Sequence, residues 1–181
     1  MLNRLWIWSG REAAGPAVAD LLGTLMRVDA RSRVAVMVLA LGSRLHGPLD
    51  LAKCLRLAAV GELTAEVAEG LGGSLPALVG EQGDGVSREA RLIETFRRLS
   101  GQMELNRASA YRWSEEDRQR LFDPDYLARR CAADPLLAEL YDAVWGQGVE
   151  RLKRTGENPA EVALDAMGYR RTGGAAACRP C

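Results

Sequence analysis

Apolar residues along this chain recur at intervals of three and four, the spacing that lines one face of an α-helix. The pattern predicts a first helix from Pro16, a residue suited to an opening turn, to about Met26. Asp29 is placed to cap a second helix that carries the apolar run 34–41 and ends before Gly47-Pro48. Eight successive apolar residues there predict a helix buried all round, with a strand as the alternative because valine is frequent. Asp50 caps a third helix whose apolar face is Leu51, Cys54, Leu55, Ala58 and Ala59, and Thr64 is placed to cap a short one ending at Gly70. The stretch 70–87, GLGGSLPALVGEQGDGVS, predicts a long loop or lid. Ser87 restarts helix with a stripe of Leu92, Ile93, Phe96, Leu99 and Met103, and Ser114 caps another over SEEDRQRLF. Asp134-Pro135 opens the most regular helix, with Leu136, Leu137, Leu140, Tyr141, Val144, Trp145, Val149 and Leu152 at helical spacing. Asn158-Pro159 opens the last helix, which ends near Gly168.

No strand pair and no internal repeat interrupts this pattern, so the fold class is all-α. The expected organisation is one helical domain over 1–169 and a flexible tail over 170–181, RRTGGAAACRPC, which has no core-forming pattern. Composition narrows the function classes. Lys+Arg and Asp+Glu are both 24, which argues against a general nucleic-acid binder. No apolar run reaches membrane-spanning length, and MLNRLWIW is too brief for a signal peptide, so neither a membrane nor export is expected and the location is read as cytoplasmic. Four cysteines in a chain of this size point to free thiols rather than a disulfide scaffold.

Three segments in order resemble the HD-domain phosphohydrolases, in particular the 5'-deoxynucleotidase-like branch. LMRVDARSRVAVMVLAL is similar to the helix where a motif close to E-H-S-x-R-V-A carries the first metal ligand. CLRLAAVGELTAEVAEGLGGSLP is similar to the helix and loop around the H-D dipeptide, and SREARLIETFRRL to the helix that supplies the last aspartate. The resemblance spans about 21–103 and implies an HD-domain-like helical bundle. It does not carry the catalytic residues over. The first histidine falls on Ala30, the H-D pair on Gly61-Glu62 or Glu62-Leu63, and the final aspartate on Arg97. The chain holds one histidine in all, His46. A guanidinium stays protonated and opposes a divalent cation, so no metal and no cofactor is expected at these degenerate metal-site positions.

Two fillings of such a site are open: an ion pair of Arg97 with Glu62 or Glu66, or an anion pocket in which Arg33 and Arg97 hold a phosphate. Glu62, Glu66 and Glu69 share a helix face by spacing, which is either a solvated face or a rebuilt carboxylate site. His46 is expected to complement a helix end. Trp6, Trp8, Trp113 and Trp145 are read as core or contact residues, with Trp6 and Trp8 suited to a homodimer interface. Cys54 lies on an apolar face, and Cys131 follows Arg129-Arg130, which would lower its pKa. The terminal Cys178-Arg179-Pro180-Cys181 places two thiols within reach of one another for a disulfide or a soft metal, with Arg170, Arg171 and Arg179 favouring thiolates. It resembles a thioredoxin-like C-x-P-C over four residues. It is also similar to the relay tails of ribonucleotide reductase large subunits and to peptide precursors whose core follows Gly-Gly, as Gly173-Gly174 does here.

The leading expectation is a catalytically degenerate HD-fold scaffold, binding module or carrier, whose tail meets a protein partner or modifying enzyme at Cys178 and Cys181. The alternatives are a nucleotide phosphohydrolase rebuilt around Glu62 and Glu66, and a phosphate sensor built on Arg33 and Arg97.

Overall fold

A computed structural model describes residues 16–61, 67, 69–70, 72–73, 75–80, 87–108 and 112–166. Every regular element among them is helical: α1 (Pro16–Leu25), α2 (Ala30–Leu41), α3 (Leu51–Ala59), α4 (Leu75–Gly80), α5 (Arg88–Arg107), α6 (Glu115–Phe122), a π-helical turn (Pro124–Ala128) running into α7 (Arg129–Cys131), α8 (Pro135–Arg154) and α9 (Pro159–Ala166). None of these helices is long and apolar enough to cross a membrane.

The helix starts follow the capping chemistry written in the sequence. The Asp29 carboxylate accepts from the backbone N–H of Arg31 and Ser32, and Asp50 accepts from Lys53 at 2.8 Å. Ser87 accepts from Ala90, and Ser114 and Asp117 form a reciprocal capping box. Asp134 accepts from Leu136 and Leu137 immediately before Pro135, and Asn158 accepts from Ala160.

The bundle is organised around α5, against which α2, α3, α8 and the π-helical turn pack. Leu92, Ile93, Phe96, Leu99 and Met103 of α5 are all buried, as the stripe predicts. They meet Met37 and Leu41 of α2, Leu57 of α3 and Leu140 and Val144 of α8 in one continuous core. Burying each such side chain stabilises the fold by about 1.5–3 kcal/mol. A second, smaller cluster joins Trp113, Leu121, Phe122, Val149, Leu152 and Ala163 where α6 and α9 pack on the far half of α8.

Three expectations are corrected. Helix α2 is not buried all round: Leu39 is 69% exposed, because α3 and α5 cover one side of α2 and leave Leu39 facing outward. The buried face of α3 is Cys54 and Leu57, while Leu51 and Ala59 are exposed, so the face is rotated toward Leu57 from the one read in the sequence. The Gly-rich 70–87 stretch contains the helix α4, whose Leu78 is buried and which packs on α3. The cap expected at Thr64, the contact residues Trp6 and Trp8 and the tail 170–181 lie outside the described residues.

Candidate functional site

The positions singled out in the sequence fall in three places. Gly61 and Arg97 come together at the end of α3. Arg97 Nη2 donates to the Leu57 carbonyl at 2.9 Å. A Cβ built on Gly61 would lie 2.9 Å from both Cζ and Nε of Arg97 and closer still to Nη2, so the guanidinium rests on the glycine where a side chain would otherwise stand. Ala30 lies apart from buried surroundings, exposed on the first turn of α2. Glu62 and Glu66, the carboxylates expected to pair with Arg97, lie outside the described residues, and Glu69 is exposed. Among the described residues no three His, Cys, Asp or Glu side chains converge in a metal-binding group.

Arg33 is 0% exposed and is a structural residue rather than an anion ligand. Its Nε donates to Leu25 O at 2.9 Å, Nη1 to Ser100 O and Oγ at 3.1 Å each, and Nη2 to Val28 O at 2.7 Å and to the Glu104 carboxylate. A guanidinium has five N–H donors, so none remains for a phosphate. The hydrogen bond from Arg33 holds the Glu104 carboxyl below the usual carboxylate range despite some burial. The expected partnership of Arg33 with Arg97 therefore gives way to two separate roles: Arg33 ties α1, α2 and α5 together, and Arg97 ties α5 to α3.

His46 also differs from its expected place. Its backbone N–H donates to Asp134 Oδ2 at 2.8 Å, and its ring Nδ1 lies 3.2 Å from the same oxygen, with the imidazole 78% exposed. The ring thus binds the carboxylate that caps α8 rather than completing the end of α2. Burial raises the Asp134 pKa, but the N–H groups of His46, Leu136 and Leu137 and the His46 ring outweigh it and leave it below the ordinary value. Arg88 fastens the same turn by donating to the carbonyls of His46 and Pro48.

The two thiols in the helical bundle are chemically quiet. Burial pushes Cys54 up to about 11, with the nearby Glu89 and Asp50 adding to it. Burial pushes Cys131 up to about 12, outweighing the opposing charge of Arg130, so the expected lowering by Arg129-Arg130 is overturned. Cys178 and Cys181 lie outside the described residues. Trp113 is buried, with its indole N–H donating to Leu105 O at 2.9 Å, and Trp145 packs at the edge of the second cluster.

A pocket of about 460 Å³, absent from the sequence reading, lies beside α8. Met26, just beyond α1, and Asn106, near the end of α5, form one side, and Gly146, Gln147, Glu150, Arg151 and Arg154 of α8 form the other. Asn106 is fixed in place: Gln102 donates to its oxygen at 3.0 Å and its own amide donates to Val144 O at 2.8 Å. The available sequence signal was a glycine inside the strongest helix with two arginines five and eight residues on. Periodicity alone hid it, because Arg151 and Arg154 read as an ordinary basic helix end.

Comparison with protein-family models, curated proteins and solved structures found no match to this chain.

Proposed function

We propose that the chain is a cytoplasmic, non-catalytic binding module on an HD-type frame, in which Arg97 stands where that family holds its divalent ion. The observation that carries this function is the seating of the Arg97 guanidinium on Gly61, with Nη2 bonded to Leu57 O. These two positions are 36 residues apart; Arg97 falls on the final aspartate of the resembling family, and Gly61 on the histidine of its H-D pair in the ungapped one of the two alignments. A fixed positive charge there repels a divalent cation and also satisfies a carbonyl that terminates α3. Thiol chemistry in this function falls on Cys178 and Cys181, because Cys54 and Cys131 are buried with raised pKa values and hold almost no thiolate near neutral pH. The tail is then the point at which a protein partner or modifying enzyme engages the module.

The deciding experiment measures metal per chain after purification under reducing conditions, with and without residues 178–181, beside phosphate release from a deoxynucleoside monophosphate. The expected result is no metal in the helical core and no release. Metal lost with the tail assigns binding to Cys178 and Cys181. Near-stoichiometric metal in both forms, with hydrolysis, sinks the proposal and moves a carboxylate site around Glu62 and Glu66 to the front.

A further inference from the structure

The pocket beside α8 carries a charge that the protein itself does not neutralise. Arg33, Arg97, Arg98 and Arg118 all donate to carbonyls or carboxylates of neighbouring elements. Arg151 is part-buried in the pocket wall, and among the described residues no hydrogen bond or ion pair engages it. Its guanidinium keeps contact with solvent and has all five N–H donors open to an acceptor that enters the pocket. Arg154 adds a second positive charge to the lining. The one acidic lining residue, Glu150, is already bonded to Lys153 Nζ at 2.6 Å. The amide oxygen of Gln147 is buried with no hydrogen-bond partner, which leaves that side chain unfixed from within the protein.

Gly146 is the second, independent sign. Glycine inside a helix is less favourable than alanine, because it gives up more backbone freedom on folding. Gly148, two residues on, has a packing reason: a Cβ there would come 2.8 Å from Leu121 Cδ1 and 3.1 Å from Asn106 Oδ1. A Cβ on Gly146 would touch nothing within 4 Å, as is also true of Gly23 and Gly101, but of these three only Gly146 lines the pocket. A side chain at this position would occupy the cavity, whose volume is that of small-molecule sites in general.

We propose that this pocket binds a small organic anion. Its carboxylate or phosphate pairs with Arg151, flanked by Arg154, and its apolar body lies over Gly146 against Met26. This gives the binding module a ligand class, and it rests on that function for its purpose while its chemistry is separate from the Arg97 site.

The test uses the full chain labelled with nitrogen-15, titrated with phenyl phosphate, benzoate and the neutral benzyl alcohol, while the Gly146 amide and the Arg151 Nε–Hε signals are followed. Either anion is expected to move both signals saturably, below about 20 mM for a ligand of this size. Benzyl alcohol binds more weakly. Preference for phenyl phosphate assigns a phosphate ligand, and preference for benzoate a carboxylate. Arg151→Gln is expected to weaken the preferred anion at least about tenfold, the effect of losing one charge-assisted pair. Gly146→Leu fills the cavity and abolishes binding, and an unchanged amide spectrum elsewhere verifies that it folds. Absence of saturable shifts with both anions, or equal affinity in Arg151→Gln, overturns the proposal. Metal content and phosphate release report on Arg97 alone, so the two proposals fail separately.

Discussion

At the scale of a residue, Arg33 joins three helices through one buried side chain. Its five donors reach carbonyls that end α1, two acceptors on Ser100 and the Glu104 carboxylate. Removing one member of a buried charged network leaves the others unsatisfied and costs about 3–5 kcal/mol. Arg33→Met is therefore expected to lower the urea midpoint sharply. Arg33→Lys is expected to recover little, since a lysine has three donors and no planar fork. A midpoint within experimental error of the parent chain in Arg33→Met would contradict this role. The residue identity was visible in the sequence, but its role was not. Most of its acceptors are backbone carbonyls, and its side-chain partners lie 67 and 71 positions away, where no helical spacing points. The same limit applied to His46, whose partner Asp134 is 88 positions away.

At the scale of an element, what the sequence made legible was where helices begin and which face of α5 and α8 is buried. Caps are local chemistry, and a long amphipathic stripe averages over many positions. What escaped was short or two-sided. Over the nine residues of α3 a rotation of the face by one position exchanges Leu51 for Leu57, and α4 has only six residues within a glycine-rich stretch. The π-helical turn before α7 has no periodic signature at all. Helix α8 offers a paired test of glycine within one element. Gly146→Ala is expected to raise stability by about 0.5–1 kcal/mol through helix propensity alone. Gly148→Ala is expected to lower it by about 1–3 kcal/mol, because the new methyl meets Leu121 and Asn106. Thermal unfolding of the two single variants, side by side, checks both signs; a rise in both would mean that helix propensity outweighs the contact with α5 and α6, and a fall in both would contradict the open space at Gly146.

At the scale of the whole molecule, three low carboxyl pKa values sit at three different joints. Glu104 binds Arg33 between α5 and α2, Asp134 binds the His46 turn at the head of α8, and Glu157 binds Arg118 between the α9 approach and α6. The Arg118 hydrogen bond is the main cause of the Glu157 shift. Each group is depressed in the folded state, so its contribution is fully present above the unfolded carboxylate pKa, about 4. It is lost as pH falls through the folded value. The two buried thiols act in the opposite direction. Their folded values, about 11 and about 12, exceed the unfolded one, so their contribution is complete below about pH 9 and is lost as pH rises toward those values. The melting temperature is therefore expected to be flat between about pH 5 and 8, falling below and above that window. Replacing Cys131 by Ala is expected to soften the alkaline fall and leave the acid one unchanged. A melting temperature that keeps rising beyond about pH 9 would count against the thiol assignment.

The contact between Arg97 and Gly61 also fixes an order of events. Any side chain placed at 61 must first push the guanidinium off the Leu57 carbonyl, so the two positions are not free to change independently. A lineage that lost glycine before arginine would pass through a strained intermediate, whereas one that shed the arginine first would find position 61 open. Any new side chain at position 61 thus depends on a prior change at position 97, so the residue 36 positions away decides what position 61 can hold.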